Sequence, residues 1–194
     1  MSISDLEKPS RSAPLSPEYA LLGLLVEGSA HGYELHLRLV DQLGQVWRIS
    51  LSQTYNILKR LEAQGFIEAV QLQSHKLPAR HPFRLTEAGR RRFEAWLGST
   101  SGCSVRLVRV EFTTRLFFAR QRGPAEVLRL VEAQTAATRA CLVRLQVRLA
   151  EIPTEQIFNR LGLELRTRQM ASVLDWLAEC RQALTGAESK AGRQ

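Results

Sequence analysis

Apolar positions recur along this chain at helical spacing, and the spacing predicts where each helix begins and stops. Ser16-Pro17 suits an N-cap followed by proline at the first helical position. A short apolar helix then runs from Glu18 to Val26 and is closed by Gly28. His31-Gly32-Tyr33-Glu34-Leu35 opens a second helix, with Leu35, Leu39 and Leu43 at i, i+4 and i+8 and Gly44 near its end. Ser50 caps a third, Leu51 to Gln64, stopped by Gly65. The period then changes. Ile67, Ala69 and Leu72 lie in a strand-like stretch, and Phe83 and Leu85 alternate with Arg84, so two short strands joined by Gln73 to Arg80 form a hairpin. Pro82 restricts the second strand to an edge or to its beginning. Thr86 with Glu87 starts a fourth helix that runs to about Leu97.

The remainder has one period throughout. Residues 1–15, rich in Ser and Pro, are expected to be a mobile tail, and Gly98 to Gly102 the linker between two halves. Val105, Val108, Phe112 and Leu116 share one face of a helix, and Gly123-Pro124 starts a long second one. In it Leu128, Val131, Thr135, Thr138, Leu142, Leu145, Leu149 and Ile152 alternate at spacings of three and four, an a/d heptad seam. Pro153-Thr154 starts a third helix, striped by Ile157, Leu161, Leu165, Val173, Leu177 and Leu184, with a frayed tail from Gly186. The expected fold is mainly α, of α+β winged-helix type. A winged helix-turn-helix occupies residues 16–98 and an all-helical dimerisation domain residues 103–185. Leu128, Val131, Leu142, Leu145, Leu149, Leu174 and Leu177 are the candidate dimer residues.

Composition narrows the function class. Of 194 residues, 44% are hydrophobic, enough for a core. The longest uncharged apolar run, Tyr19 to Val26, is too short to cross a membrane, and no secretory signal is expected at the N-terminus. Cys103, Cys141 and Cys180 are odd in number, far apart and never spaced Cys-x-x-Cys. They read as small apolar filler on helices of a cytoplasmic protein, with neither a disulfide nor a metal site. Lys plus Arg is 27 against 19 acids, net +8, which favours polyanionic partners. The sharpest local excess, eight basic residues against three acids, runs from Lys59 to Arg92.

That window coincides with the third helix and the hairpin. On a helical wheel Leu51, Thr54, Tyr55, Leu58, Leu61 and Gly65 cluster on one side, at about 100° per residue. Ser52, Gln53, Asn56, Lys59 and Arg60 occupy the other, with no acid until Glu62. Amide side chains can pair bidentately with adenine, and Lys or Arg with guanine or a phosphate. The candidate DNA contacts are that outer face with the cap Ser50 and the adjoining Thr54 and Tyr55: Ser50, Ser52, Gln53, Thr54, Tyr55, Asn56, Lys59 and Arg60. Lys76, Arg80 and His81 on the hairpin join them, lying along the DNA backbone. Of Arg90-Arg91-Arg92, at most two could face one phosphate path, because successive helical residues diverge by about 100°.

Three segments together resemble the PadR family of transcriptional regulators. They are His31-Gly-Tyr-Glu-Leu35, Tyr55 to Glu68, and Phe83 to Arg90, with Glu111-Phe112-x-x-Arg115-Leu116-Phe117-Phe118 as a looser fourth. The resemblance implies a homodimeric winged-helix regulator, usually a repressor, whose C-terminal helices form the dimer and which often answers to a phenolic or other hydrophobic small molecule. Where many members have Gly-Thr-Leu-Tyr-Pro, this chain has Ser52-Gln53-Thr54-Tyr55-Asn56, so the family's operator code does not transfer to it. The expected partners are a double-stranded, palindromic operator, a second copy of the chain, and a small aromatic or hydrophobic effector; Trp47, Trp96, Phe117 and Trp176 are the candidate effector residues. No cofactor or metal is expected. An enzyme is disfavoured, because His31, His36, His75 and His81 do not converge and no phosphate-binding glycine loop or Gly-x-Ser-x-Gly occurs. The rival reading is a winged-helix adaptor that binds protein and no operator.

Overall fold

The computed structural model describes residues 15, 17–70 and 81–191, with side chains through Ala183. The tail to residue 14, Ser16, Leu72 and the hairpin tip with His75, Lys76 and Arg80 lie outside the described residues. Helix α1 (Glu18–Val26), α2 (Gly32–Leu43) and α3 (Leu51–Ala63) precede the antiparallel strands β1 (Ile67–Ala69) and β2 (Phe83–Leu85), and α4 (Glu87–Leu97) follows. Ile67 faces Leu85 and Ala69 faces Phe83. Phe83 also exchanges backbone hydrogen bonds with Ala30 on its other side, so Pro82 stands at the strand's start, where its missing N–H harms nothing.

The local chemistry explains these boundaries. Ser50 and Gln53 form a reciprocal capping box on α3, and Thr86 caps α4 by accepting from the Gly89 N–H. Gly65 has φ +71°, a left-handed conformation that only glycine adopts readily, and there the chain leaves α3 for β1. Apolar residues of α1 to α4 meet in the centre: Leu21, Leu22, Leu24, Leu35, Leu39, Leu58, Leu61, Phe93 and Leu97 are all buried. This is a winged helix-turn-helix.

In the C-terminal half, α5 (Val105–Leu107), a π-helical turn (Val108–Phe112) and α6 (Thr113–Arg120) run on as one helix. The long helices α7 (Pro124–Glu151) and α8 (Ile157–Ala191) follow and pack extensively on each other. Three expectations change here. Helix α8 continues through Gly186 to Ala191, where a frayed tail was expected. Cys103 and Cys141 form a disulfide, their Cα atoms 5.7 Å apart, although a sequence separation of 38 hides the pair. Cys103 also precedes α5 instead of lying on a helix; only Cys180 is free, and burial raises its thiol pKa.

The third change is the seam of α7. Its buried residues are Val127, Leu130, Val131, Gln134, Thr138, Cys141 and Leu145, a stripe turned by about one residue from the expected one. Val131, Leu145 and Leu177 are thus consumed inside the chain, while Leu128, Leu142, Leu149 and Leu174 are only half-buried. The reason is a polar group. Gln134 turns inward because its side chain accepts from the Ser101 N–H at 2.8 Å and donates to the Ser101 carbonyl and the Thr138 hydroxyl.

The segment 98–102 is not a free linker. Arg115, 2% exposed, donates to the Trp96 carbonyl (2.9 Å), Ser101 Oγ (2.6 Å) and Ser99 Oγ (3.0 Å), and pairs with Glu111 at 3.3 Å. Its guanidinium lies 4.7 Å from the centre of the Trp96 ring. Burial lowers its pKa and Glu111 opposes that shift. The buried Trp47 N–H donates to Thr114 Oγ1 at 2.9 Å, so a second contact fastens the two halves, and a single apolar core passes through both.

One glycine of α8 stands out energetically. A Cβ built on Gly162 meets no atom within 4 Å. Gly162→Ala is therefore expected to raise stability by roughly 0.5–1 kcal/mol through reduced unfolded-state freedom, read as a higher midpoint in urea; a lower midpoint would contradict it.

Candidate nucleic-acid interface

Helix α3 presents its outer face to solvent. Ser52, Gln53, Asn56, Lys59 and Arg60 are exposed, while Ile57, Leu58 and Leu61 face the core. Tyr55 is half-buried because its ring closes over Gly32: a Cβ there would lie 2.7 Å from the tyrosine ring. That close approach joins α2 to α3 in the helix-turn-helix and accounts for the glycine after His31.

Not every residue of the expected contact set is available. Thr54 is fully buried; its hydroxyl donates to the Ser50 carbonyl (3.2 Å) and sits 2.9 Å from His36 Nδ1. Its inclusion in the DNA-facing set is therefore corrected: it locks α3 to α2. Gln53 is exposed, but its side-chain oxygen accepts from the Ser50 N–H at 2.8 Å, and Ser50 Oγ accepts from the Gln53 N–H at 3.2 Å. Both are occupied by the cap. Arg60 donates to Glu18 at 2.7 Å. Glu18, 9% exposed, also takes Arg92 at 3.4 Å, whose guanidinium lies 4.4 Å from the Phe66 ring centre. This clamp gives no sign in the sequence, because Glu18 reads simply as an acid in a first helical turn.

Ser52, Asn56 and Lys59 remain as exposed side chains on this face, and Lys59 makes no ion pair among the described residues. His81 is exposed at the foot of β2. Arg91 pairs with Glu87 on α4 at 3.7 Å, and Arg92 is drawn inward, so of the arginine triplet Arg90 alone forms no ion pair among the described residues.

The expected effector residues do not meet. Trp47 and Trp96 are each 8% exposed and packed in the core, Trp96 stacked on Tyr19 at 4.7 Å. Trp176 stands edge-on to Phe112 at 6.1 Å, facing a different hollow. Phe117 lines a separate cavity of about 420 Å³ between the end of α2 and α6, α7 and α8, beside Leu43, Val46, Leu116 and Val127. A single aromatic cage is thus replaced by one mainly apolar hollow at Phe117. Among the described residues there is no cluster able to hold a metal, and no helix is long and apolar enough to cross a membrane.

Parts of the chain are similar to known transcriptional regulators. Residues 21–95 match the transcriptional regulator PadR-like family, and residues 108–185 match the C-terminal domain family described as virulence activator alpha. The negative transcriptional regulator PadR of Bacillus subtilis is 37% identical over 81 residues, 41% of this chain and 44% of that protein. A probable transcriptional regulator of Mycobacterium tuberculosis is 27% identical over 79 residues, 41% of this chain and 42% of that protein. The match thus spans less than half the length of either curated relative. Among solved structures, B. subtilis PadR in complex with operator DNA is similar over 86% of this chain and 98% of that one, at 26% identity and a TM-score of 0.41. The same protein in complex with p-coumaric acid is similar over 87% and 98%, at 24% identity and a TM-score of 0.40.

Proposed function

We propose, from the match of residues 21–95 to the PadR-like family of transcriptional regulators, that this chain is a repressor that binds a palindromic double-stranded operator as a homodimer and is released by a small hydrophobic or aromatic effector. The observation that carries the reading is the outer face of α3. Ser52, Asn56 and Lys59 stand exposed side by side, with no acid on that face before Glu62. In this reading Asn56 and Ser52 reach base edges, Lys59 takes a phosphate, and Arg60 is positioned by Glu18. Lys76, Arg80 and His81 follow the neighbouring backbone, as their place in the sequence suggests. The negative sense is supported by the name of the B. subtilis relative. The apolar cavity at Phe117 is the proposed effector site, because it touches both α2 of the winged helix and the C-terminal helices. A regulator of this kind acts where the chromosome is, in the cytoplasm.

The dimer surface in this proposal differs from the expected seam. Ile157, Phe158, Leu161 and Leu165 form an exposed stripe on α8, with Phe158 88% exposed, and α7 adds Val143 and Val147. An apolar stripe of this kind in water marks an interaction face. With 16–98 reading DNA and 103–185 pairing the chains, two recognition helices would address two half-sites.

The test uses the purified chain and the DNA upstream of its own gene. Lys59→Ala is expected to weaken binding on any duplex and to lower the salt slope by about 1. Asn56→Ala should cost about 1–3 kcal/mol on the operator and much less on random duplex. Unchanged affinity in both variants would remove α3 from the interface; no duplex binding by the wild type at low salt would favour the protein-binding adaptor.

A further inference from the structure

We propose that the cleft between the α5–α6 helix and α8 binds an amphipathic oxyanion, a carboxylate or phosphate head on an apolar chain. The cleft has a volume of about 540 Å³, within the range of pockets that enclose small ligands. Three arginines converge on it. Arg106 and Arg109 come from the helix that begins at Val105, three residues apart on neighbouring turns, and Arg166 comes from α8 opposite. None of the three makes an ion pair among the described residues, whereas nine other arginines do. No Asp or Glu lines the cleft. Three like charges around one hollow repel one another, and an anion seated between them relieves that repulsion. Guanidinium groups also match the geometry of carboxylate and phosphate oxygens better than any other side chain.

The rim is prearranged. Arg166 Nη2 donates to the Cys103 carbonyl at 3.0 Å, and Cys103 is itself tied to Cys141 by the disulfide. That leaves the remaining N–H groups of Arg166 for a ligand, on a side chain already held by one hydrogen bond. Preorganisation of this kind lowers the entropic cost of binding.

The cleft does not end at the arginines. A second hollow of about 500 Å³ shares Val105, Arg109 and Gln169 with it and continues along α8 to Val173 and Trp176. It too has no acidic lining residue. Charge is therefore concentrated at one end and apolar surface at the other, a polarity that suits a charged head and an apolar body. A bare polyanion would leave the apolar end unfilled, and a neutral oil would leave the arginines unpaired. The site is separate from the outer face of α3 and from the cavity at Phe117 and touches the proposed dimer stripe only at Leu165, so anion binding is read on the free chain without DNA.

The test is direct titration of the full chain with sodium octanoate and with octyl phosphate at fixed ionic strength, with octan-1-ol as the neutral probe, followed by calorimetry and tryptophan fluorescence. At least one anion should bind saturably, one per chain, and at least tenfold more tightly than the alcohol; the stronger head group identifies the source. Arg109→Gln combined with Arg166→Gln should weaken that binding at least tenfold, while Arg139→Gln with Arg148→Gln, exposed on α7, leaves it unchanged. Trp176→Phe should abolish the fluorescence response but keep the heat of binding, since Trp47 and Trp96 are buried elsewhere. Neither anion binding, the alcohol binding as well as the anions, or equal losses in the two double variants would overturn the assignment.

Discussion

Arg115→Met is expected to destabilise the chain by about 3–5 kcal/mol, the range for removing one partner from a buried ion pair. The arginine is 2% exposed and anchors one carbonyl, two serine hydroxyls and the Glu111 carboxylate. Methionine fills much of the same space, so little of the loss comes from a cavity. What remains is the buried Trp96 carbonyl and Ser101 hydroxyl without a donor, and a half-buried Glu111 without its cation. Glu111→Gln should cost clearly less, because Glu111 is 24% exposed and one amide hydrogen bond survives. Chemical unfolding of the three proteins checks both statements. An Arg115→Met protein within 1 kcal/mol of wild type would show that the hub carries no stability.

That hub also marks where reading the sequence stopped. Helices α1 to α4 and both strands were legible, because each is short, amphipathic or capped, and bounded by Gly or Pro. The C-terminal helices were legible as helices but not in their rotation. Spacing alone identifies an apolar band on α7 and cannot tell which edge of it a neighbour takes. Here Gln134 decides: it goes inside to hold Ser101, and the buried face turns with it. On α3 the wheel separated core from surface correctly at Leu58 and Lys59. It could not show that Gln53 would fold back on its own cap or that Arg60 would be claimed by Glu18, 42 residues earlier. The Cys103–Cys141 pair was invisible for the same reason: distance along the chain carries no information about distance in space.

The largest effect on DNA binding is expected from the double variant Phe158→Glu, Leu161→Glu. Both side chains already face solvent in the single chain, at 88% and 55% exposure, so the fold should be unaffected. If this stripe seats a second copy, four carboxylates would be forced together in an apolar contact, and the dimer should not form. Operator affinity should then fall by about 10²–10⁴-fold, the usual advantage of a linked second site. Sedimentation at micromolar concentration and a gel-shift titration read the two effects separately. Substituting Leu145, one of the expected dimer residues, would not test the interface, because it is buried within the chain at 5% exposure and its loss would destabilise the monomer. A double variant that stays dimeric, or a monomer that still binds tightly, would rule out this stripe as the working interface.

The fastening of residues 98–102 bears on the operator itself. A slack tether would let each recognition helix swing to find its half-site, and operators of several lengths would serve. Here Arg115 holds both ends of the segment, and Trp47 bonds to Thr114 beyond it. The separation and twist of two paired recognition helices would therefore be dictated by the contact between chains. One base pair added between half-sites moves the second by about 3.4 Å and turns it by about 35° around the duplex. A rigid pair of readers has no joint with which to follow that displacement, so the spacer length of the operator should be as strictly required as the bases it separates.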